Sequence, residues 1–387
     1  MELGSRMQLL GTESAFAVLA KAQELEATGR SIVHLEIGEP DFATPAHIVE
    51  AAVAALRAGS THYVAAPGIL ALREAVSAFL ERTGRLSAGA DRVIVTPGAK
   101  PIMFYTILAL CEPGDEVLYP DPGFPMYESI SAFSGAVPVP VPLREENGFR
   151  IDPEELERLV TARSKLLVLN SPHNPCGSAL GPSECEAIAE LALRHDLVVL
   201  SDEVYWAIRY GGRHASVLEL DGMPERTVLL DGWSKTFAMT GWRLGFGVFP
   251  TPLVEPVTRL VVNSVSCTSA FSQHAAKAAL EGPWQAVDEM VEEFRRRREV
   301  IVDGLNAIEG ITCARPEGAF YVFPNVRELG ISADTLQRRL LEECGVACLA
   351  GTAFGAHGEG YLRLSYANSV ENIESALERI ASFVKGL

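Results

Sequence analysis

The sequence predicts an α/β protein whose large domain contains a mostly parallel, seven-stranded sheet sandwiched by helices. Seven short apolar runs follow one another from residue 92 onward: "RVIVT", "DEVLYP", "AVPVPV", "KLLVLN", "LVVLSD", "TVLLD" and "LGFGVF". Helical patterns, such as the one over 183–195, separate several of these runs. Apolar strands that alternate with helices are typical of a parallel sheet covered on both faces. A chain of 387 residues is also long enough for this body and a smaller domain.

The two ends of the chain predict that smaller domain. Helical periodicity covers 12–28 near the N-terminus, and a long helix is expected from 283 to 308. Helical periodicity also covers 45–58 and 68–82, within the expected large domain. The short runs "AFYVF", "VACLA" and "YLRLSYA" and two further helical patterns follow. We therefore expect an N-terminal segment 1–40 that joins the small domain, a large domain 41–285, and a small α+β C-terminal domain 286–387. The "RRRR" run at 295–298 is expected to be a solvated helix face.

Composition excludes several classes of function. The formal net charge of −17 disfavours binding to nucleic acid or to an anionic membrane, because phosphates would be repelled. The sequence has no apolar run long enough for a membrane span and no basic-then-apolar signal pattern. The seven cysteines contain no C-x-x-C pair and have no histidine cluster beside them. We expect a reduced, metal-free protein in the cytoplasm.

The first candidate site residues follow the ends of two predicted strands, where ligands bind in open α/β sheets. Gly98, Ala99 and Lys100 lie in the turn "PGAK", which opens a helix after "RVIVT". Free N–H groups at such a helix start can bind a phosphate, although an ordinary strand-to-helix turn has the same pattern. Asn174, between prolines in "SPHNPCG", could present its amide to a ligand oxygen or form an Asn-Pro turn.

Asp202 and Tyr205 follow the next strand, in "SDEVYW". A carboxylate at the end of a buried run is costly unless it is paired, and a protonated ring nitrogen would be a suitable partner. A helix N-cap is the alternative role for this aspartate.

The stretch "DGWSKTFAMTGWRLG" carries Lys235 after Ser234, followed eight residues later by Arg243. A desolvated lysine has a lowered pKa and can act as an imine-forming amine. An arginine is well suited to hold a phosphate through two hydrogen bonds. Together with the preceding strand ends, these residues describe a site for a phosphorylated aromatic carbonyl compound. Pyridoxal 5′-phosphate matches that description.

With these motifs, the chain resembles the fold-type I enzymes that use pyridoxal phosphate. More narrowly it is similar to the class I and II aminotransferases of the bacterial aspartate aminotransferase subgroup, from "EIGEPDF" to "RLSYA". The resemblance implies that Lys235 forms an imine with the cofactor and carries the reacting proton. It also implies that Asp202 pairs with the ring nitrogen, and that Tyr205 and Asn174 bind the ring hydroxyl.

The same resemblance assigns the remaining contacts. It implies that the phosphate is held by the turn at Gly98, Ala99 and Lys100 with Ser234 and Arg243, and that Phe124 stacks on the ring. Tyr63, in "THYVAAPGI", matches a tyrosine that reaches the phosphate of the neighbouring subunit, which implies a homodimer with shared active sites. The substrate carboxylate is assigned to Arg363, with Asn174 and the backbone of Gly38. Two departures are Gly232, where many relatives have a serine, and Phe124, where aspartate-specific relatives often have tryptophan.

The implied reaction is a ping-pong transfer of an amino group from an L-amino acid to a 2-oxo acid such as 2-oxoglutarate. Three substrate classes stay open at this point. Lys100 could bind the distal carboxylate of an acidic donor, or it could point to solvent. Trp206, Phe16 and Tyr366 could instead favour an aromatic or broad range of donors, and the third class is a specialised biosynthetic substrate.

Two other functions would use the same fold. A C–S β-lyase, a decarboxylase or a cyclopropane-forming synthase would share the chemistry at the Cα–H bond. A non-catalytic regulator is the more remote alternative, since such proteins carry an N-terminal DNA-binding domain that this sequence does not show.

Overall fold

The computed structural model describes residues 3–387 and contains a central sheet, a smaller second sheet and helices around both. The strands are β1 (Val33–His34), β2 (Val93–Thr96), β3 (Glu116–Asp121), β4 (Val137–Pro142), β5 (Ser164–Asn170), β6 (Val198–Asp202), β7 (Thr227–Gly232), β8 (Gly245–Val248), β9 (Tyr321–Val322), β10 (Val346–Ala347), β11 (Leu349–Ala350) and β12 (Leu362–Ser365). The α-helices are α1 (Ser14–Ala27), α2 (Ala46–Arg57), α3 (Leu70–Arg82), α4 (Lys100–Leu110), α5 (Met126–Ser134), α6 (Pro153–Leu159), α7 (Pro182–Arg194), α8 (Trp233–Thr236), α9 (Thr251–Ser264), α10 (Ala270–Glu281), α11 (Gln285–Asn306), α12 (Ala333–Arg339) and α13 (Val370–Val384).

The central sheet confirms the predicted fold class. Its seven strands have the order β2-β8-β7-β6-β5-β3-β4, and each of the seven apolar runs forms one of them. Only β8 is antiparallel to its neighbours β2 and β7. The parallel strands therefore end at one edge of the sheet, where β8 begins.

Burial explains why these strands are continuous apolar runs. Every residue of β2, β3, β7 and β8 is buried, because helices cover both faces. The exception is β4, which carries three prolines and is partly exposed. Proline is tolerated there because β4 is the edge strand and pairs only with β3.

The small α+β domain combines both ends of the chain. Strand β1 pairs in parallel with β10, with Val33 opposite Val346, and β11-β12-β9 form an antiparallel sheet. The long helix α11 packs its apolar face, including Phe294 and Ile301, into the core of this domain. The N-terminal strand β1 is therefore hydrogen-bonded to a strand of the C-terminal residues.

The prediction of a solvated "RRRR" face is wrong for Arg297 and for Arg298, whose side chain is only 12% exposed and lies over the ring of Tyr210. Arg297 is buried and pairs with Asp41 at 2.7 Å and with Glu293 at 2.8 Å. The cause is that α11 packs against the loop after β1, which supplies a carboxylate for the buried guanidinium. Arg296, by contrast, is exposed and pairs with Glu293 on its own helix.

Two features expected from composition can be checked on the described residues. Within residues 3–387, no helix combines the length and the apolar character needed to cross a bilayer. All seven cysteines are free thiols.

Candidate active site

A cavity of about 590 Å³ opens at the edge of the sheet where the parallel strands end. Eleven of the predicted site residues line it: Gly38, Ala99, Lys100, Phe124, Asn174, Asp202, Tyr205, Ser234, Lys235, Arg243 and Arg363. Most of them follow directly on β2, β3, β5, β6 or β7. The sheet thus brings together residues that are far apart in the sequence, and β12 adds Arg363 from the small domain.

Lys235 lies in the short helix α8, immediately after β7, and is half-buried. Its Nζ donates a hydrogen bond to the carbonyl oxygen of Gly38. Burial lowers the pKa of Lys235 to about 8; the nearby cation Arg363 adds to this effect, and Glu39 opposes it. A substantial fraction of the amine is therefore neutral near physiological pH, as a nucleophile or a proton acceptor requires.

Asp202 ends β6 at the floor of the cavity and is 6% exposed. The hydroxyl of Tyr127 donates to its Oδ2 at 2.7 Å, and no cation of the described residues lies within 4 Å. Burial raises the pKa of Asp202 to about 7. A buried carboxylate with a neutral partner would be stabilised by a cationic N–H donor placed above it.

Gly98 and Arg243 form an anion cradle beside the start of α4. Gly98 has a φ of 89°, and a Cβ there would lie 2.3 Å from Arg243 Nη2, so only glycine leaves room for the guanidinium. Arg243 Nη1 donates to the carbonyl of Thr240 at 2.8 Å, and no described carboxylate lies within 4 Å of the guanidinium. With the free N–H groups of the helix start, this cradle suits a phosphate.

Gly245 brings the cradle close to the sheet. A Cβ at Gly245 would lie 2.4 Å from the backbone nitrogen of Ala99. Because Gly245 has no side chain, the backbone of β8 packs directly against the turn that begins α4. Gly232 is also confined, since a Cβ there would lie 3.0 Å from the carbonyl of Leu244.

Arg363 is a buried cation on β12, only 4% exposed. It donates through Nη2 to the carbonyl of Glu36 and through Nη1 to Asn174 Oδ1 at 3.3 Å, and its Nε has no partner. Burial lowers its pKa, and no described carboxylate lies within 4 Å of it. Because a buried guanidinium needs a counter-ion, a ligand carboxylate is the natural partner.

The sequence analysis missed three aromatic residues of the site: Tyr127, Tyr321 and Phe354. Tyr321, on β9, shares a 2.8 Å hydrogen bond between hydroxyls with Tyr205. Its hydroxyl also lies where a Cβ of Gly38 would be, 2.1 Å away, which explains the glycine. The rings of Tyr321 and Phe354 stack on the guanidinium of Arg363 at 4.5 and 5.0 Å. No local sequence pattern marks Tyr127, Tyr321 or Phe354, because only the tertiary fold brings them to the cavity.

Two predicted residues lie apart from the cavity. Gly98 is beneath its wall, in the cradle described above. Tyr63 is 87% exposed in the loop between α2 and α3 and does not line this chain's own cavity.

The side chains considered for substrate choice have different positions. Phe16 lines the cavity, but Trp206 and Tyr366 do not, so that part of the sequence interpretation is wrong. Trp206 stacks on Arg85 at 4.3 Å, and Tyr366 is buried and donates to Tyr210 at 3.0 Å. Lys100 is neither a free cation nor directed to bulk solvent alone, because its Nζ pairs with Glu13.

These groups fit pyridoxal phosphate. The buried Asp202 suits a protonated ring nitrogen, the amine of Lys235 suits an aldehyde, and the Gly98–Arg243 cradle suits a phosphate. Among the described residues no group of three or more metal-binding side chains occurs. The fold and the cavity together define a fold-type I enzyme that depends on pyridoxal phosphate.

Comparison with known proteins narrows the class. The model of the family "Aminotransferase class I and II" matches residues 30–380, and the chain belongs to that family. It is 40% identical to an aspartate aminotransferase of Pyrococcus abyssi and 40% identical to aromatic-amino-acid aminotransferase 2 of Thermococcus litoralis, in each case over 100% of this chain and 99% of the relative. The solved structure of Thermus thermophilus aspartate aminotransferase with maleate is 39% identical over 99% of both chains, with a TM-score of 0.95.

The protein is therefore an enzyme that transfers amino groups with pyridoxal phosphate as its cofactor. Its substrates are an amino acid and a 2-oxo acid. The family does not favour the C–S β-lyase alternative or the non-catalytic regulator.

Proposed function

We propose that the cavity binds an L-amino acid and a 2-oxo acid in turn, in a ping-pong mechanism, with Lys235 and Arg363 as the two residues that act on both. The observation that carries this proposal is that both side chains face one cavity. One is an amine whose pKa burial lowers to about 8, and the other is a buried guanidinium with no described carboxylate within 4 Å.

Arg363 positions the substrate. Its guanidinium binds the α-carboxylate, and Asn174, whose Oδ1 already accepts from Nη1, fixes the direction of the guanidinium plane. The carbonyl of Gly38 holds the Lys235 amine on the same side of the cavity. A substrate bound in this way has its Cα–H close to the group that must remove the proton, which is the positional advantage that such sites exploit.

Lys235 holds and moves the proton. As a neutral amine it would accept the proton from Cα and pass it to the cofactor carbon that has taken the amino group, rather than back to Cα. When bound, the cofactor supplies an electrophilic carbon that takes the amino group and a ring that draws electron density away from Cα. Asp202, whose carboxylate accepts a hydrogen bond from Tyr127, would keep the ring nitrogen protonated.

The remaining predicted residues hold the cofactor. Tyr205, whose hydroxyl is hydrogen-bonded to that of Tyr321, and the amide of Asn174 would bind the ring hydroxyl. The turn Gly98–Lys100, Ser234 and Arg243 would hold the phosphate, and Phe124, which also lines the cavity, would contact the ring. Gly232 has no side chain to donate, and Ser234 is the residue of α8 whose hydroxyl would serve the phosphate, because it lines the cavity and Thr236 does not.

Assembly and domain limits are part of the proposal. A homodimer with shared active sites is supported by Tyr63, which matches a residue that serves the neighbouring site and is fully available on the surface. For the domains we propose 1–40 with 286–387 as the small unit and 41–285 as the large one. The packing of Ala22 with Leu341 and Ala347 supports this division. A cytoplasmic location is supported by the seven unpaired cysteines.

The proposal is tested by product analysis with a panel of amino donors and 2-oxo acid acceptors. Amino-group transfer requires one mole of new amino acid for each mole of donor consumed, and no turnover without an acceptor. Release of ammonia and pyruvate without an acceptor would show a lyase instead. The location is tested by fractionation of the source cells, with the enzyme expected in the cytoplasmic fraction.

A further inference from the structure

An ion pair crosses the mouth of the active-site cavity. Glu13 immediately precedes α1, and its carboxylate contacts Nζ of Lys100, the first residue of α4. The two side chains are 21% and 49% exposed, and both line the cavity. The pair therefore connects the start of the N-terminal helix to the body that carries the central sheet, at a solvent-exposed part of the cavity wall.

The pair cancels the charge that Lys100 would otherwise present. A distal carboxylate of a substrate would be attracted by Lys100 and repelled by Glu13 at nearly the same distance, so little net attraction remains. A distal cation of a substrate would be attracted by Glu13 and repelled by Lys100, so these two interactions also nearly cancel. The charge of Glu13 also reaches the centre of the cavity, since it is one of two carboxylates that oppose the burial-induced lowering of the Lys235 pKa.

Two other cations of the cavity, Arg243 and Arg363, are assigned to groups other than the distal part of the substrate. Arg243 is in the phosphate cradle, and Arg363 is placed for the α-carboxylate. The other carboxylate near the mouth, Glu39, accepts from the hydroxyl of Thr240. Apolar side chains form much of the remaining wall: Ala15, Phe16, Ile37, Phe124, Leu349 and Phe354.

We propose that Glu13 determines specificity: by pairing with Lys100 it makes the cavity select neutral, apolar or aromatic substrate side chains over acidic ones. This inference rests on the proposed function and adds the substrate class. It applies to both half-reactions, because donor and acceptor occupy the same cavity. A 2-oxo acid with a neutral side chain is therefore a better acceptor than 2-oxoglutarate, which carries a distal carboxylate.

The first test measures binding rather than turnover. Maleate, a dicarboxylate, and 3-phenylpropionate, an aromatic monocarboxylate, are titrated by calorimetry into the cofactor-loaded enzyme. Wild-type enzyme binds 3-phenylpropionate at least about 10-fold more tightly than maleate. E13Q frees Lys100 and tightens maleate roughly 10-fold to 100-fold relative to 3-phenylpropionate. E13S, a second variant, shifts the ratio in the same direction.

Two further variants isolate the cause. E13Q/K100M loses the gain in maleate affinity, because the freed lysine is what attracts the distal carboxylate. E24Q is the matched control: Glu24 forms an exposed ion pair with Lys21 at 3.0 Å on the same helix, away from the cavity. It leaves the ratio of the two affinities unchanged.

The second test follows the first half-reaction in single turnovers with phenylalanine and with aspartate as donor. The ratio of the two rate constants shifts towards aspartate in E13Q by the same order of magnitude. If wild-type enzyme prefers maleate and aspartate, or if E13Q leaves both ratios unchanged, the inference is wrong while amino transfer stands. If no donor transfers its amino group, the proposed function itself fails.

Discussion

Arg363 Nη1 lies 3.3 Å from Asn174 Oδ1, so a strand of the small domain and the loop after β5 meet in one hydrogen bond. The guanidinium also donates to the carbonyl of Glu36, in the N-terminal segment. Three distant parts of the chain thus fix the orientation of one cation. The guanidinium of Arg363 is therefore already oriented before a carboxylate binds, so less conformational entropy is lost on binding.

This arrangement predicts the effect of Arg363→Lys. Lysine keeps a positive charge but cannot reproduce the planar, bidentate contact or the bond to Asn174. We expect the affinity for 3-phenylpropionate to fall roughly 100-fold, with kcat/KM for every donor falling at least as far. Calorimetry on the cofactor-loaded enzyme measures the first and stopped-flow absorbance the second.

Arg259→Lys is the matched control for Arg363→Lys. Arg259 is an exposed arginine on α9 that pairs with Glu255 on the same helix at 2.8 Å. Arg259→Lys is expected to leave the affinity for 3-phenylpropionate and kcat/KM unchanged. An Arg363→Lys enzyme that binds 3-phenylpropionate like the wild type would remove Arg363 from carboxylate recognition.

The second prediction concerns Gly98 and the phosphate cradle. In Gly98→Ala the new Cβ would lie 2.3 Å from Arg243 Nη2 and displace the guanidinium. We expect the dissociation constant of pyridoxal phosphate to rise at least about 10-fold, because the arginine no longer faces the phosphate. Equilibrium dialysis of the apo-enzyme against the cofactor measures it.

Gly29→Ala separates the backbone strain from the loss of the cradle. Gly29 has a φ of 90°, close to the 89° of Gly98, but a Cβ there would have nothing within 4 Å. Both substitutions therefore cost about 1 kcal/mol of folding free energy through the positive φ. Only Gly98→Ala is expected to change cofactor affinity, and equal affinities of the two variants would contradict the assignment.

The seven-stranded sheet could be predicted from the sequence for a physical reason. Fully buried parallel strands must be apolar along their whole length, so all seven were visible as runs. The residues that follow them were predictable for the same reason, since the ends of parallel strands meet at one edge. Asp202 and Lys235, on β6 and just after β7, are in this group.

Residues from other elements could not be predicted in this way. Tyr321 and Glu13 reach the cavity from the small domain and from the start of α1, and no strand-end pattern points to either. The position of Lys100 was predictable, but its partner was not, because the two residues are 87 positions apart. Trp206 was assigned wrongly because its ring packs against Arg85 and Phe79 instead of lining the cavity, although it directly follows Tyr205 in the sequence.

The third prediction concerns Asp202 and pH. Its pKa is about 7 in the folded apo-enzyme and 3.8 as the ordinary value, so the folded state binds the proton more tightly. The corresponding stability is present below about pH 4 and is lost as the pH rises through 7. Relative to Asp202→Asn, which cannot ionise, apo wild-type Tm is expected to fall by roughly 2–4 °C between pH 5 and pH 8.

Differential scanning calorimetry of the two apo-enzymes across this range checks the third prediction. Glu203 and Asp231, whose charges help to raise the pKa of Asp202, are present in both proteins, so the two curves differ only through the residue at position 202 and its coupling to them. Saturating pyridoxal phosphate is expected to raise the Tm of the wild type at pH 8 more than that of Asp202→Asn, because only the carboxylate can pair with a charged ring nitrogen. Parallel Tm curves for the two apo-enzymes would refute the raised pKa.

The last prediction tests the shared active site. Lys235→Ala is expected to lose the visible absorbance of the bound cofactor and turnover, and Tyr63→Ala to bind the cofactor about 10-fold more weakly. If Tyr63 serves the neighbouring site, a heterodimer of one Lys235→Ala and one Tyr63→Ala subunit contains one complete site. Heterodimers purified through two different tags should then show about half of the wild-type activity at limiting cofactor.

The matched control carries the same two substitutions in one subunit. A heterodimer of wild type and the double variant Lys235→Ala/Tyr63→Ala has one site without Lys235, and its other site receives alanine in place of the neighbouring tyrosine. It should show only the residual activity of Tyr63→Ala. The opposite ranking, with the control more active than the first heterodimer, would mean that Tyr63 acts within its own subunit. Because both heterodimers contain the same substitutions in the same amounts, the difference in their activities depends only on which subunit supplies the tyrosine.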